Sequence, residues 1–217
     1  MKKIILLFIV SLIFNISCKM DSEIYTDTYE ISEIINSLSP RVIEINNVSV
    51  KSHSEDGYCG ISSVTIMSNF YNNTNYEVND LIKRRNANKG ASYEDTKKWL
   101  QLELPGKNIV FESNVKNGDM IRNIHNSLNN NNPVLISFGA QNPFNKPFYD
   151  FHASVVYGID LDNKTITIAN TYGYIEKTSL VDFLNRMSFT EIDKYPLIQQ
   201  VVLMRNGMDK NSYFLVR

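Results

Sequence analysis

The first half of the chain carries hydrophobic residues at helical spacing. Between residues 59 and 71, the apolar positions recur every third residue, at Ile61, Val64, Met67 and Phe70. This spacing predicts a helix with one apolar face and with small or polar residues on the other. Three further segments also favour helices, at residues 76–85, 92–104 and 119–128. The second of these begins at Ser92, a typical N-cap residue, and Pro105 ends it.

The second half changes to runs of apolar and β-branched residues, which are typical of strands. Six strands are predicted, at residues 41–50, 133–138, 152–159, 165–169, 197–204 and 213–216. Asp162-Asn163 is a turn signal that joins two of them as a hairpin, and one more helix is predicted at 179–187. Helices followed by an antiparallel sheet indicate an α+β fold. A cleft is expected between the helical half and the sheet half.

The N-terminal segment has the pattern of an export signal. Lys2 and Lys3 precede an apolar run over residues 4–14, and Ser17-Cys18 follows. This end resembles a bacterial lipobox, although Asn15 stands where leucine is usual, and it predicts a lipid on Cys18. An uncleaved anchor and an ordinary signal peptide are the alternatives, but the run is shorter than the roughly 20 residues of a spanning helix.

This pattern divides the chain into a signal at residues 1–17, a tether at 18–40 and one domain at 41–217. The tether is polar and has a possible short helix at 31–38. About 200 residues after cleavage are enough for one domain with a substantial core. We expect this domain to be a monomer.

Charge and composition exclude several classes of function. The chain has 22 basic and 23 acidic residues, and loss of Lys2 and Lys3 would leave a net charge of about −3, which predicts no nucleic-acid partner. There is no zinc-type Cys/His spacing and no phosphate-binding glycine loop, so we expect no metal and no organic cofactor. The abundant asparagine, as at residues 129–132, is attributed to codon bias in solvated turns.

The cysteines direct attention to one position. The chain has only Cys18 and Cys59, so lipidation of Cys18 would leave Cys59 as the single thiol. Cys59 lies where a loop turns into the first predicted helix, and Gly57 before it and Gly60 after it predict a tight loop in which the backbone can approach a substrate. A thiolate is the reactive form of cysteine, and a helix N-terminus favours negative charge. This position therefore suits a nucleophile.

Two later residues complete a candidate triad. His152 opens a predicted strand, and Asn170 ends the next one. A histidine can take the thiol proton and return it, and a third polar group can orient the imidazole. The alternatives are a buried structural cysteine, a hydrogen-bonded core histidine, and one more asparagine in an asparagine-rich chain. His125, on a predicted helix, is interpreted as a surface residue.

These segments resemble the C39-like papain-fold cysteine peptidases, with weaker similarity to staphopain-type secreted peptidases. The resemblance covers roughly residues 45–175. It rests on Tyr-Cys-Gly-Ile-Ser-Ser-Val at 58–64, on the predicted helix, loop and strand at 124–137, and on residues 152–160 and 166–171. It implies a papain-like fold in which Cys59 is the nucleophile, His152 is general base and acid, and Asn170 orients His152. Asn170 and Thr171 stand where Asp and Pro are usual, so Asn170→Asp is expected to retain activity.

The resemblance also implies an oxyanion hole. The family has glutamine six residues before the cysteine, where this chain has His53. The side chain of His53 and the backbone N–H of Cys59 would then be the two donors. Alternatively, His53 is a solvated loop residue, flanked by Ser52 and Ser54, and the oxyanion relies on backbone N–H groups alone.

Together these features predict an exported, lipid-anchored cysteine peptidase at the bacterial cell envelope or surface. Its partners would be a peptide or protein substrate and, through the lipid on Cys18, a membrane. One alternative is an acyl or aminoacyl transferase on the same fold. The other is a catalytically weak binding lipoprotein with a papain-like surface.

Overall fold

The computed structural model describes residues 31–53, 55–141, 143, 148–205 and 208–217. The chain separates into two units at Leu38/Ser39, and the larger unit contains residues 39–217. Residues 31–37 form a helix, α1, close to the short helix predicted for the tether. The predicted signal and Cys18 lie outside the described residues. Within them, no helix has the length and apolar character needed to cross a membrane.

Six longer helices and one 3-10 turn follow α1 in the described chain. They are α2 (Cys59–Asn72), α3 (Val78–Arg85), α4 (Tyr93–Glu103), α5 (Asn117–Asn129), α6 (Leu180–Met187), the 3-10 turn Ile192–Lys194, and α7 (Leu197–Met204). The predictions of α2 to α6 are confirmed to within two residues at most ends. The strand predicted at 197–204 is wrong, because this apolar run forms α7. The length of this run fits either structure, and Pro196 is the N-cap residue of the helix.

Seven strands of the described residues form one antiparallel sheet. They are β1 (Val42–Glu44), β2 (Ile109–Glu112), β3 (Val134–Gln141), β4 (Tyr149–Asp160), β5 (Thr165–Asn170), β6 (Tyr174–Ser179) and β7 (Ser212–Val216). The order is β2-β7-β3-β4-β5-β6, and β1 pairs with the end of β4. The strand predicted at 41–50 is thus reduced to β1, while β2 and β6 were not predicted. The α+β architecture itself is confirmed.

Helix α2 is the central helix and is buried on nearly all sides. It packs against β4 and α4, and every residue from Gly60 to Asn69 is buried. The face predicted to be polar is therefore also inside the protein. Three of its hydroxyls, those of Ser62, Ser63 and Thr65, donate to the carbonyl four residues earlier at 2.8–2.9 Å, and the hydroxyl of Ser68 donates to Glu103 at 3.1 Å.

Asparagine has a backbone role that codon bias does not explain. Of the eight non-glycine residues with positive φ in the described chain, six are asparagine. Asn73 and Asn86 are the left-handed C-caps of α2 and α3. Asparagine tolerates this conformation better than other side chains because it can bond locally. The others are Asn47, Asn114, Asn131 and Asn211.

Candidate active site

One cleft contains the predicted nucleophile and the predicted base. Its volume is about 250 Å³. It is lined by His53, Asp56, Gly57, Cys59, Asp150, Phe151, His152, Tyr172 and Gln199. The structure therefore brings together Cys59, His152 and His53, although His152 lies far from the other two along the chain.

A tight turn and an uncapped helix start position Cys59. Gly57 has φ +92°, and a Cβ there would lie 3.0 Å from Cβ of Lys89, so the turn requires glycine. Helix α2 begins at Cys59, and no side chain among the described residues caps its first N–H groups. These N–H groups lack intrahelical acceptors and carry the positive end of the helix dipole. They are thus available to a negative charge that develops beside Sγ.

Gly60 serves a different purpose from the one predicted. It lies inside α2, and a Cβ there would lie 3.2 Å from Cβ of Ala91 and 3.3 Å from Oγ1 of Thr96. The missing side chain lets the segment that leads into α4 approach α2 closely. The tight-loop interpretation therefore holds for Gly57, and Gly60 is required for helix packing.

Burial dominates the electrostatics of the thiol. Cys59 is partly buried, and desolvation raises the pKa of its thiol, while the peptide groups of Ala153 and Gly60 partly offset this shift. A helix start beside a histidine would by itself lower this pKa, so burial is the larger effect here. The side chain at rest is therefore a neutral thiol, and it needs a base to become a nucleophile.

The register of the β4–β5 hairpin brings His152 to Asn170. Val155 pairs with Ala169, and continuing this antiparallel register places residues 152–154 opposite 170–172. His152 is the fourth residue of β4, so the prediction that it opens the strand is wrong. Its Nε2 lies 3.0 Å from Oδ1 of Asn170. Both residues are buried, Asn170 completely.

The hydrogen bonds around this pair determine which nitrogen of His152 carries the proton. The backbone N–H of Tyr172 donates to Oδ1 of Asn170 at 3.0 Å, so the amide oxygen must be the atom facing His152. An amide oxygen only accepts, and His152 therefore donates from Nε2. The hydroxyl of Thr171 donates to the carbonyl of Ala153 and can accept from the same Nε2, at 3.0 Å. Nδ1 of the neutral ring is left as the basic nitrogen.

His152 is neutral in this environment. Burial lowers its pKa to about 3, the hydrogen bond with Asn170 acts against that shift, and the nearby His53 and Arg186 lower it further. No hydrogen bond joins His152 to Cys59 in the part of the chain that the structure describes. Catalytic hydrogen bonds are often long or absent in ligand-free sites, so a proton transfer from Cys59 to Nδ1 would require the two side chains to come within hydrogen-bonding distance.

Tyr172 is a site residue that the sequence interpretation missed. Its ring stacks on His152 with centroids 3.9 Å apart and an interplanar angle of 14°. The stack covers one face of the imidazole and limits its rotation. The hairpin register was the available signal, because position 172 is directly across from position 152.

The amide nitrogen of Asn170 leads to a second group of missed residues. Nδ2 donates to Oε2 of Glu176 at 2.7 Å and lies 3.3 Å from the hydroxyl of Tyr174. Glu176 forms an ion pair with Arg186, and Nε of Arg186 donates to the carbonyl of Gly139 at 2.6 Å. Glu176 and Tyr174 lie on β6, which was not predicted, so no sequence signal placed them beside Asn170.

His53 lies in the cleft and is not a solvated loop residue. Only 7% of it is exposed, and its ring centroid is 6.4 Å from that of His152 and 5.8 Å from that of Tyr172. Nδ1 lies 2.5 Å from the carbonyl oxygen of Glu55. A carbonyl can only accept, so the neutral ring carries its proton on Nδ1. Nε2 is then an acceptor, and it is buried with no partner in the described structure.

This tautomer bears on the predicted oxyanion role. Nε2 of His53 can donate only when the ring is an imidazolium, and burial lowers the pKa of His53 in spite of the bond to Glu55 and the nearby Asp56. The donor form is therefore the minor form at neutral pH. The backbone N–H of Cys59 has no such restriction.

His125 is buried, contrary to the surface position predicted for it. It is 1% exposed, and its Nε2 donates to the carbonyl of Pro40 at 2.8 Å. It does not line the cleft. Nowhere in the described ranges do three or more His, Cys, Asp or Glu side chains cluster as metal ligands.

Comparison with known proteins identifies the family of this chain. The fold is similar to that of a Bacillus anthracis protein with a crystal structure, assigned as a C39-like peptidase, with a TM-score of 0.52 and 12% identity over 81% of this chain and 97% of that one. It is one of 19 matching chains of known structure. No curated protein matches the sequence. The model of the Peptidase_C39 like family matches residues 43–198, and the chain belongs to that family.

Proposed function

We propose that this protein is a cysteine peptidase in which Cys59 is the nucleophile, His152 the general base and acid, and Asn170 the residue that orients His152. The observation that carries the proposal is the direction of the bond between His152 and Asn170. Because Nε2 donates to Oδ1 at 3.0 Å, Nδ1 is free to accept a proton in the cleft that contains Cys59.

Acylation begins when Sγ of Cys59 attacks the carbonyl carbon of a peptide bond and the thiol proton passes to Nδ1 of His152. The C–S bond forms, and the carbonyl π electrons move to oxygen. When the tetrahedral intermediate collapses, the C–N bond breaks and the amine leaves with the proton of His152. A thioester on Cys59 and a neutral imidazole remain.

Deacylation repeats these steps with water. His152 removes a proton from water at Nδ1 while the oxygen attacks the thioester carbon. Collapse of the second intermediate breaks the C–S bond, and the proton returns to the sulfur. The products are the carboxylic acid and the free thiol, so one peptide bond is hydrolysed without a redox or metal requirement.

Stabilisation of the oxyanion would come first from the uncapped start of α2. The backbone N–H of Cys59 lies at the positive end of a 14-residue helix. The imidazolium form of His53 would add a second donor. In other enzymes one such donor is worth about 2.7–4 kcal/mol of transition-state stabilisation, so the ionisation of His53 would affect the rate strongly.

Active-site labelling and peptide-library profiling test this function. Because Cys18 is the second thiol of the chain, labelling is done in the Cys18→Ala background, where a thiol-directed probe should label the protein that keeps Cys59 but not the one that also carries Cys59→Ala. The peptide library should be cleaved only when Cys59 is present. His152→Gln should abolish cleavage. His125→Gln is a matched control that removes a buried histidine outside the cleft and should retain it. An intact library together with ordinary thiol reactivity would instead favour the binding-protein alternative.

Hydrolysis and transfer require the same Cys59 and His152, so substitutions do not separate them. The masses of the products do, when the reaction is run with and without an added primary amine. A peptidase yields the free acid in both cases. An acyl or aminoacyl transferase yields an amide product when the amine is present.

Export and lipid anchoring extend this proposal and rest on the sequence pattern around Cys18. The mature protein should carry lipid on Cys18 and partition into the detergent phase of an extraction, whereas Cys18→Ala should remain in the aqueous phase. Mass spectrometry of the mature N-terminus provides the decisive measurement. A mature chain that still begins at Met1 would exclude the lipoprotein processing.

A further inference from the structure

We propose that Glu176 is a positioning residue of this site, and that Asn170 and Glu176 form an amide–carboxylate pair whose two members depend on each other. This inference rests on the proposed roles of Cys59 and His152. It assigns to Glu176 the task of holding the Asn170 carbonyl toward His152, and it explains why position 170 is an asparagine where the family usually has aspartate.

Both ends of the Asn170 side chain are specified by their partners. The oxygen accepts from the backbone N–H of Tyr172 and from Nε2 of His152, each at 3.0 Å. The nitrogen donates to Oε2 of Glu176 at 2.7 Å. A flipped amide would turn the nitrogen toward two donors and the oxygen toward a carboxylate. Glu176 and the backbone N–H of Tyr172 therefore favour, from opposite ends of the amide, the one orientation that presents an acceptor to His152.

Arg186 anchors the carboxylate that performs this selection. It forms an ion pair with Glu176 and is only 6% exposed in its side chain. Its Nε donates to the carbonyl of Gly139 on β3, and its guanidinium lies 4.5 Å from the ring centroid of Phe138. Arg186 of α6 thus links Glu176 on β6 to β3, and the partly buried charge of Glu176 is compensated.

The pair has a consequence for substitution at position 170. An aspartate there would place a second carboxylate close to that of Glu176, near the 2.7 Å of the present hydrogen bond. Two carboxylates at such a short distance share a proton at low pH. Their mutual repulsion raises the pKa of that shared proton. With the proton present, the introduced aspartate would still accept from His152. Without it, the pair would separate and the imidazole would lose its support.

This reasoning reverses the expectation drawn from the family resemblance. Asn170→Asp alone should be active at low pH and should fail as the pH rises. The double variant Asn170→Asp/Glu176→Gln exchanges the amide and the carboxylate and keeps one carboxylate in the network. Its activity should recover, because the introduced glutamine can donate to the introduced aspartate and accept from Arg186.

The test measures the full-length protein and its three variants Asn170→Asp, Glu176→Gln and the double variant. The rate of Cys59 alkylation by iodoacetamide is followed from pH 5.5 to 8.5, together with kcat/KM on a cleaved peptide and the Tm. Relative to wild type at the same pH, Asn170→Asp should be within threefold at pH 5.5 and at least tenfold slower at pH 8.5. The double variant should be within threefold at both.

Asp182→Asn is the matched control. Asp182 also lies near Arg186, at 3.5 Å, but 41% of its side chain is exposed and it does not contact Asn170. Its alkylation profile should follow that of the wild type. If Asn170→Asp unfolds, Glu176→Gln alone still tests the proposal. It should slow Cys59 alkylation several-fold, and the addition of Asn170→Asp in the double variant should raise the rate again.

Two results would overturn the proposal: a ratio of Asn170→Asp to wild-type rates that does not change with pH, or a double variant no better than Asn170→Asp. Failure of the proposed function gives a different result. In that case no peptide is cleaved by any variant, while the pH-dependent alkylation pattern and its rescue remain. If peptides are cleaved but kcat/KM and the alkylation rate do not change in Glu176→Gln, the proposed function stands and the positioning role of Glu176 is excluded.

Discussion

At the scale of single residues, the candidate site depends on the direction of hydrogen bonds more than on the types of its residues. The backbone N–H of Tyr172 orients Asn170, and Asn170 then places the proton of His152 on Nε2. The carbonyl of Glu55 places the proton of neutral His53 on Nδ1. The two histidines of the cleft are thus held in opposite tautomers, and only His152 offers a basic Nδ1.

The first prediction concerns the thiol. Because burial raises the pKa of Cys59, its reactivity near neutral pH requires a base, and His152→Ala should react with iodoacetamide at least tenfold more slowly than the wild type at pH 6.5. The alkylation rate followed by mass spectrometry measures this. The His125→Gln protein serves as the control, with the rate of the wild type. Equal rates for wild type and His152→Ala would remove His152 from the chemistry.

The second prediction concerns His53. Its pKa is lowered by burial, so the donating imidazolium is lost as the pH rises through a value below the ordinary one. If His53 supports the oxyanion, kcat of the wild type should decline above that pH. His53→Gln donates at every pH and should show a higher kcat at pH 8, while His53→Ala should lose about 10²-fold where the wild type is most active.

The corresponding negative result is also informative. A kcat within threefold of wild type for both His53 variants, at every pH, would leave the oxyanion to the N–H groups at the start of α2. Iodoacetamide reactivity is the internal check, because alkylation forms no oxyanion. It should change little in either variant.

At the scale of the elements, two helices begin in different ways. Helix α4 has a capping box, in which Asp95 N–H donates to Ser92 Oγ and Ser92 N–H donates to Asp95 Oδ2, both at 3.1 Å. Helix α2 begins at Cys59 without a side-chain cap among the described residues. A cap there would occupy the N–H groups that the proposed oxyanion needs. The stability of α2 comes instead from burial on nearly all sides.

The third prediction follows from this difference. Ser92→Ala removes one acceptor at the start of α4 and should cost about 1 kcal/mol of unfolding free energy, or roughly 2–4 °C in Tm for a domain of this size. Cys59 alkylation should be unchanged, because Ser92 does not line the cleft. Ser92→Thr keeps the acceptor and should stay close to the wild-type Tm in a calorimetric scan. Equal Tm values for Ser92→Ala and Ser92→Thr would contradict the capping role of Ser92.

At the scale of the whole domain, the cleft is built from distant parts of the chain, and it buries ionisable groups. His152 is 3% exposed and neutral, with its pKa lowered from 6.5 to about 3. In the unfolded chain the same residue takes up a proton near pH 6.5. Below that pH the unfolded state binds more protons than the folded state, so stability falls as the pH falls.

The fourth prediction gives this acid sensitivity a magnitude. The contribution of His152 is fully present above about pH 6.5 and is lost between pH 6.5 and pH 3, at up to about 1.4 kcal/mol per pH unit. Urea denaturation at pH 7, 6, 5 and 4 measures it. His152→Gln does not titrate, so its stability should fall less steeply with pH. Parallel slopes for the two proteins would show that His152 is charged in the folded state.

The elements with strong local signals were predictable from the sequence. The apolar spacing at Ile61, Val64 and Met67 determines α2, and Ser92 determines the start of α4. The turn residues Asp162-Asn163 determine the β4–β5 hairpin, whose apolar strands follow the expected pattern. These signals depend only on neighbours along the chain. They were sufficient for the α+β class and for Cys59, His152 and Asn170 as candidates.

Tertiary structure decided the features that depend on contacts between distant segments. The apolar run at Leu197–Met204 could be either strand or helix from its local pattern, and in the folded domain it forms α7. The burial of His125, the stacking of Tyr172 on His152 and the partner of Asn170 depend on register and packing, which no local pattern encodes. The sequence by itself determined which groups could do the chemistry; the packing determined their protonation, because hydrogen-bond direction and burial exist only in the folded chain.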